Sequence, residues 1–260
     1  MFFTENSKHE SQVEEYSQLW DFDGNRHKYV IEASTGYSKF PFEGNVPQSM
    51  KEYGISPRFI YVVRDPFQRI ESQYNFSVGK WWFSPNASMT NERYVSLSRY
   101  FTQLEQYRNY FEKERITIVD FDDLVQNPPD TVATLCGILG IQYFAPPDPG
   151  LHQNKTELPT RGKELIDQTY QKLKQMPLLQ TLSDKMPWHL KHALLRQMEG
   201  CLATLPVLSQ RRKKRTLNDQ ERAIIRDKIE NDMYNFKKEY GFPVEKWGFR
   251  FPNESGSEKR

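Results

Sequence analysis

Residues 58–74 read Arg58-Phe59-Ile60-Tyr61-Val62-Val63-Arg64-Asp65-Pro66-Phe67-Gln68-Arg69-Ile70-Glu71-Ser72-Gln73-Tyr74. The first six are a short apolar run rich in Val, Ile and Tyr, the composition of a buried strand. Asp65-Pro66 then supplies a helix cap followed by proline at the first helical position. Beyond it, Phe67, Ile70 and Tyr74 recur at spacings of three and four, which places them on one helix face. Two further runs, Tyr29–Glu32 and Ile116–Phe121, have the same strand-like character, and helical patterns follow both. Strands alternating with helices argue for an α/β domain with a mainly parallel sheet. Arg93 to Phe111 reads as a continuous helix with Tyr100, Leu104, Tyr107 and Phe111 in register. Near the C-terminus, Asn218 and Glu221 form a capping-box pair ahead of an apolar stripe of Ile225, Ile229, Met233, Phe236 and Tyr240, which Gly241 and Pro243 stop.

Composition narrows the function classes. The 260 residues carry a net charge of +2, which rules out a uniformly basic nucleic-acid coat or an acidic disordered tail. Mean hydropathy is −0.80 and the longest purely apolar run is Phe59 to Val63, so no membrane span is expected. Cys136 and Cys201 cannot build a disulfide framework or a four-thiolate zinc site, and the five histidines fall at no metal-ligand spacing. The near-neutral total hides a split: residues 1–150 carry −6 and residues 151–260 carry +8. That asymmetry suits an anionic ligand held by the C-terminal part, and it equally suits ordinary solvated helix faces.

The chemistry of residues 64–72 points to an anion. Arg64 stands at the carboxyl end of a strand, where open α/β sheets bind ligands. The following helix N-terminus offers free N–H groups, and a guanidinium adds paired hydrogen bonds. From the residues alone, an ordinary surface arginine beside a plain helix cap fits as well. The whole pattern R-D-P-x-x-R-x-x-S-x-Y is more specific than its parts. It resembles the 3′-phosphate-binding segment of sulfotransferases that use 3′-phosphoadenosine 5′-phosphosulfate, closest to the heparan-sulfate type and its bacterial relatives. Val30-Ile31-Glu32-Ala33-Ser34-Thr35-Gly36-Tyr37, Asp122-Asp123-Leu124 with Pro128, Ile138-Leu139-Gly140-Ile141, the last helix and Trp247 are similar to further elements of that family.

The resemblance implies a P-loop-NTPase-like three-layer α/β fold with a mainly parallel sheet and a helical C-terminal part. It covers a single sulfotransferase-like domain over residues 1–251, with a helical insertion at about 162–205 and a disordered tail at 252–260. It also implies that Arg64 and Ser72 hold the 3′-phosphate of the nucleotide and that Glu32 is the general base. Proton removal from an acceptor hydroxyl calls for a carboxylate within hydrogen-bond reach; without the resemblance, Glu32 reads equally well as a turn-capping carboxylate. Arg211-Arg212-Lys213-Lys214-Arg215-Thr216, which read alone is a solvated run, a nuclear-localisation-like patch or a nucleic-acid arm, resembles the basic loop that closes over the nucleotide phosphates. That assigns Lys213, Arg215 and Thr216 to the donor. Two positions depart from the family pattern: Ala33 replaces its Lys, and Lys214 its Gly. A third departure is larger. The family opens with a strand, a K-x-G-T-type loop around the 5′-phosphosulfate and a helix, and no Lys-x-Gly-Thr occurs in this sequence. The expectation is therefore that the first strand-loop-helix unit is missing and activity is impaired by N-terminal truncation.

On the acceptor side, Trp81 and Trp82 stand in a loop where they suit stacking on a sugar or serve as a buried anchor, and Tyr100 lies where the family borders its acceptor groove. The expected function is transfer of a sulfuryl group from the nucleotide donor to a hydroxyl or amine of a saccharide or similar acceptor. No metal and no nucleic acid are expected. A soluble protein is expected, the cytoplasm being favoured over the Golgi lumen. Four N-x-[S/T] sequons begin at Asn75, Asn86, Asn154 and Asn253, though Asn75 falls within a predicted helix. Two rival classes stay open: a nucleotide-sugar glycosyltransferase using Asp120-Phe121-Asp122 as a D-x-D metal site, and a non-catalytic nucleotide- or glycan-binding relative.

Overall fold

A computed structural model describes residues 3, 10–78, 80, 87–145, 158, 160–162, 165–166, 169, 197 and 213–251. The chain divides into two compact units, one of residues Met1–Pro66, Val95–His152 and Ala223–Arg260, the other of Phe67–Tyr94 and Gln153–Arg222.

In the first unit, β1 (Phe59–Val63) pairs in parallel with β2 (Ile116–Asp120), in a register that sets Phe59 opposite Ile116 and Val63 opposite Asp120. Parallel strands need a long crossover, and the intervening residues supply one. Helix α1 (Glu10–Ser17) and helix α2 (Val46–Glu52) precede the sheet. Phe3, Val46, Met50, Tyr107 and Phe111 pack together into a core, with Tyr16, Tyr37 and Tyr53 against it.

Helix α3 (Pro66–Ser77) begins at the expected proline and buries Phe67, Ile70 and Tyr74 as the periodicity requires. The helix expected from Arg93 to Phe111 is interrupted. It comprises α4 (Glu92–Val95), a 3₁₀ turn at Ser96–Ser98 and α5 (Tyr100–Arg108). The break has a tertiary cause. Asp232 accepts from the N–H groups of Phe101 (3.0 Å) and Thr102 (2.9 Å) and from the Thr102 hydroxyl (2.6 Å), so a new helix starts there. Tyr100, Leu104 and Tyr107 are buried as read.

After β2 come α6 (Phe121–Gln126) and α7 (Pro128–Leu139), the latter ended by Gly140 at φ 61°. Helix α8 (Asp219–Tyr240) carries the expected capping box. Asn218 Oδ1 accepts from the Glu221 N–H at 2.8 Å, and Glu221 accepts in turn from the Asn218 N–H at 3.2 Å. Its stripe of Ile225, Ile229, Met233 and Phe236 is fully buried.

One expected strand is absent. Tyr29–Glu32 is irregular, because among the described residues no strand lies alongside to share its hydrogen bonds. Side chains tether it instead: Lys28 Nζ donates to the Gly140 carbonyl (2.8 Å) and Tyr29 Oη to that of Leu139 (3.1 Å). Ile31 is left 72% exposed.

Candidate active site

The first unit holds Glu32, Arg64 and Tyr100. Glu32 is solvent-facing, yet both of its oxygens are engaged. Tyr16 donates its hydroxyl to Oε2, and Tyr37 donates its own to Oε1 at 2.5 Å. Tyr16 and Tyr37 are themselves packed around Phe3, with ring centroids 5.4 and 5.9 Å from it. Tyr107 fixes the Tyr37 backbone by donating to its carbonyl at 2.5 Å. Burial first, and then the facing carboxylate, push the Tyr16 and Tyr37 phenols above the ordinary tyrosine range, so both stay protonated donors. A carboxylate has about four lone-pair sites, so two bound phenols leave room for an incoming hydroxyl.

Arg64 follows the last residue of β1, and its guanidinium lies 4.9 Å from the Phe121 ring centroid. Its backbone is gripped by Tyr100, whose hydroxyl donates to the Arg64 carbonyl at 2.5 Å and accepts from the Arg64 N–H at 3.3 Å. Tyr100 is only 1% exposed, with its ring against Tyr61, Phe236 and Trp247. The reading of Tyr100 as a groove-lining side chain therefore gives way to a core residue that holds the Arg64 backbone. Asp120, the first acid of the D-x-D sequence, accepts from the Asp122 N–H at 3.0 Å as the cap of α6, and is ion-paired to Lys246. A helix cap with a lysine partner accounts for that carboxylate.

The second unit holds Ser72, Lys213, Arg215 and Thr216. Ser72 is exposed on α3. The segment before α8 is docked on the same helix. Asn75 accepts from the Arg215 N–H (2.9 Å) and donates to the Arg215 carbonyl (2.8 Å). Glu71 accepts from the Leu217 N–H (2.9 Å) and pairs with Arg222 (3.2 Å). The Arg215 guanidinium lies over the Tyr74 ring at 5.3 Å and pairs with Glu221 at 2.5 Å. Lys213, Lys214 and Thr216 face solvent. Trp81 and Trp82 lie outside the described residues, as do Arg211, Arg212 and most of 162–205.

Sequence reasoning missed Tyr16, Tyr37, Glu71, Asn75 and Glu221 as parts of these arrangements. Glu71 lies within the quoted motif and Asn75 just beyond it, one helical turn on; nothing in the sequence around Tyr16 marks it.

The chain matches the sulfotransferase domain family over residues 44–199, more than half of its length. It belongs to the sulfotransferase family. Sulfotransferase domains have a P-loop-like α/β fold, to which the parallel β1–β2 pair and the flanking helices correspond. Among solved structures, the chain is similar to a sulfotransferase from Alicyclobacillus acidocaldarius, at 22% identity and a TM-score of 0.43, over 54% of this chain and 61% of that one. The match thus spans about three-fifths of that protein's length. No curated protein matches the chain.

Proposed function

We propose that this chain transfers a sulfuryl group from 3′-phosphoadenosine 5′-phosphosulfate to a hydroxyl or amine of an acceptor, with a saccharide as the favoured class. The observation that carries the reading is the second unit's docked cationic segment. Through Arg215 it docks on Asn75 of the helix that bears the exposed Ser72, and its Lys213, Lys214 and Thr216 are exposed. Ammonium and hydroxyl groups are donors suited to a phosphate.

The mechanism assigns each residue a role. Ser72, Lys213, Arg215 and Thr216 hold the nucleotide's 3′-phosphate. Glu32 takes the proton of the acceptor hydroxyl, held in place by Tyr16 and Tyr37. The acceptor oxygen then bonds to sulfur in line as the bond from sulfur to the nucleotide's phosphate oxygen breaks, and the bisphosphate nucleotide leaves. As in phosphoryl transfer, positioning and charge stabilisation carry the rate, with no covalent enzyme intermediate.

Glu32→Gln tests the assignment. It keeps the side chain's shape and removes the base, so sulfation is expected to fall by about 10²–10⁴-fold while titration with 3′-phosphoadenosine 5′-phosphate is unchanged. Undiminished sulfation would remove Glu32 from the chemistry, and transfer abolished by EDTA would favour a metal-dependent enzyme.

A further inference from the structure

We propose that Asn75 is a positioning residue of the nucleotide site, a role that rests on the functional reading above and gives that site its architecture. The segment 213–218 is irregular, so no sheet or helix ladder sets its register. Asn75 does so at Arg215, beside the bond by which Glu71 takes the Leu217 N–H. Its amide oxygen takes the N–H of Arg215 at 2.9 Å, and its amide nitrogen gives a proton to the carbonyl of the same residue at 2.8 Å. Two antiparallel hydrogen bonds to one residue are the contact that a neighbouring strand makes, here supplied by a side chain. A third bond, from the Asn75 nitrogen to the Glu71 carbonyl at 2.7 Å, fixes the rotamer along the helix.

Burial makes the arrangement specific. Asn75 is 6% exposed, so its bonds to Arg215 are shielded from competing water. The same burial closes the Asn75 sequon to glycosylation in the folded chain. The Arg215 guanidinium pairs with Glu221 and lies over the Tyr74 ring while its side chain stays 45% exposed. Lys213, Lys214, Arg215 and Thr216 are all exposed, and Ser72 sits three residues before Asn75, adjacent on the helix. Asn75 therefore fixes where the cationic segment meets the serine helix, and Lys213, Lys214 and Thr216 depend on it for their place against the anion.

The test compares the wild-type chain with Asn75→Ala and Asn75→Leu, the latter keeping the volume without polar atoms. Titration with 3′-phosphoadenosine 5′-phosphate and with inorganic pyrophosphate is combined with amide hydrogen exchange over 213–217. Both variants are expected to bind each anion about 10-fold more weakly, and to exchange faster in that segment. In the wild type, the bound anion should slow exchange there, a measurement that needs no variant. Faster exchange with unchanged affinity, a Leu variant equal to wild type, or an anion that gives 213–217 no protection would each overturn the proposal. A wild type that binds pyrophosphate in this Asn75-dependent way but not the nucleotide would sustain the positioning role and refute the sulfotransferase donor assignment. Binding of neither anion would refute both.

Discussion

Asp232→Ala probes how the fold holds Arg64 through α5. The Asp232 side chain is 7% exposed and serves three donors: the N–H groups of Phe101 and Thr102 and the Thr102 hydroxyl. The hydroxyl can turn to water, so alanine orphans the two backbone donors. Each unpaired buried N–H costs about 1–3 kcal/mol, and both residues are only half-buried, so the low end applies, for a sum of about 2 kcal/mol. Loss of an N-cap, at about 0.5–2 kcal/mol, gives the same scale. Burial of the carboxylate works against the cap and raises the Asp232 pKa above 3.8, with the Thr102 and Phe101 hydrogen bonds opposing the rise only in part. The net loss at neutral pH is therefore about 1–2 kcal/mol, or roughly 2–8 °C in Tm for a chain of this size.

The sign of the pH dependence follows from that raised pKa. The folded state takes up the Asp232 proton more readily than the unfolded state. Its contribution is complete below 3.8 and declines as pH rises through the raised folded value. Urea denaturation of both proteins across that window should show the gap between wild type and Asp232→Ala narrowing as pH rises. A gap under about 0.5 kcal/mol, the scale of an ordinary surface substitution, or a gap that widens with pH, would refute the reasoning.

Two further outcomes are expected. Tyr100→Phe removes the hydroxyl that both donates to and accepts from the Arg64 backbone; it should cost about 1 kcal/mol in urea denaturation and weaken titrated nucleotide several-fold. Unchanged nucleotide affinity would disconnect Tyr100 from the Arg64 role. Gly140→Ala forces a Cβ into a backbone at φ 61°, with the movable Lys28 Nζ 3.0 Å away, and should destabilise by about 1 kcal/mol. Equal stability would mean that α7 ends without need of the left-handed turn.

The elements legible in the sequence are those whose signals are local. β1 and α3 adjoin, with Pro66 marking the joint, and α8 carries its own capping box and stripe. The misread elements are those decided by distant partners. Tyr29–Glu32 has strand composition, but a strand exists only where another pairs with it, and its side-chain tethers reach to Leu139 and Gly140. The break between α4 and α5 is dictated by Asp232, which no window around residues 93–111 contains. At the candidate site, Glu32, Arg64 and Ser72 are proposed through their motifs. The residues that hold the site in place, Tyr16, Tyr37 and Asn75, make contacts that only three-dimensional structure brings about. Asn75 also begins a sequon, and in the folded chain it is buried.

The Asp232 cap also bears on vectorial synthesis. The Phe101 N–H and its acceptor are 131 residues apart in sequence. At about 5–20 residues per second, the ribosome delivers Asp232 on the order of ten seconds after Phe101. For that interval α5 has no cap, Tyr100 lacks its Phe236 neighbour, and the apolar face that α8 will cover is bare. A nascent chain paused before residue 232 is thus expected to be the species on which a holdase acts.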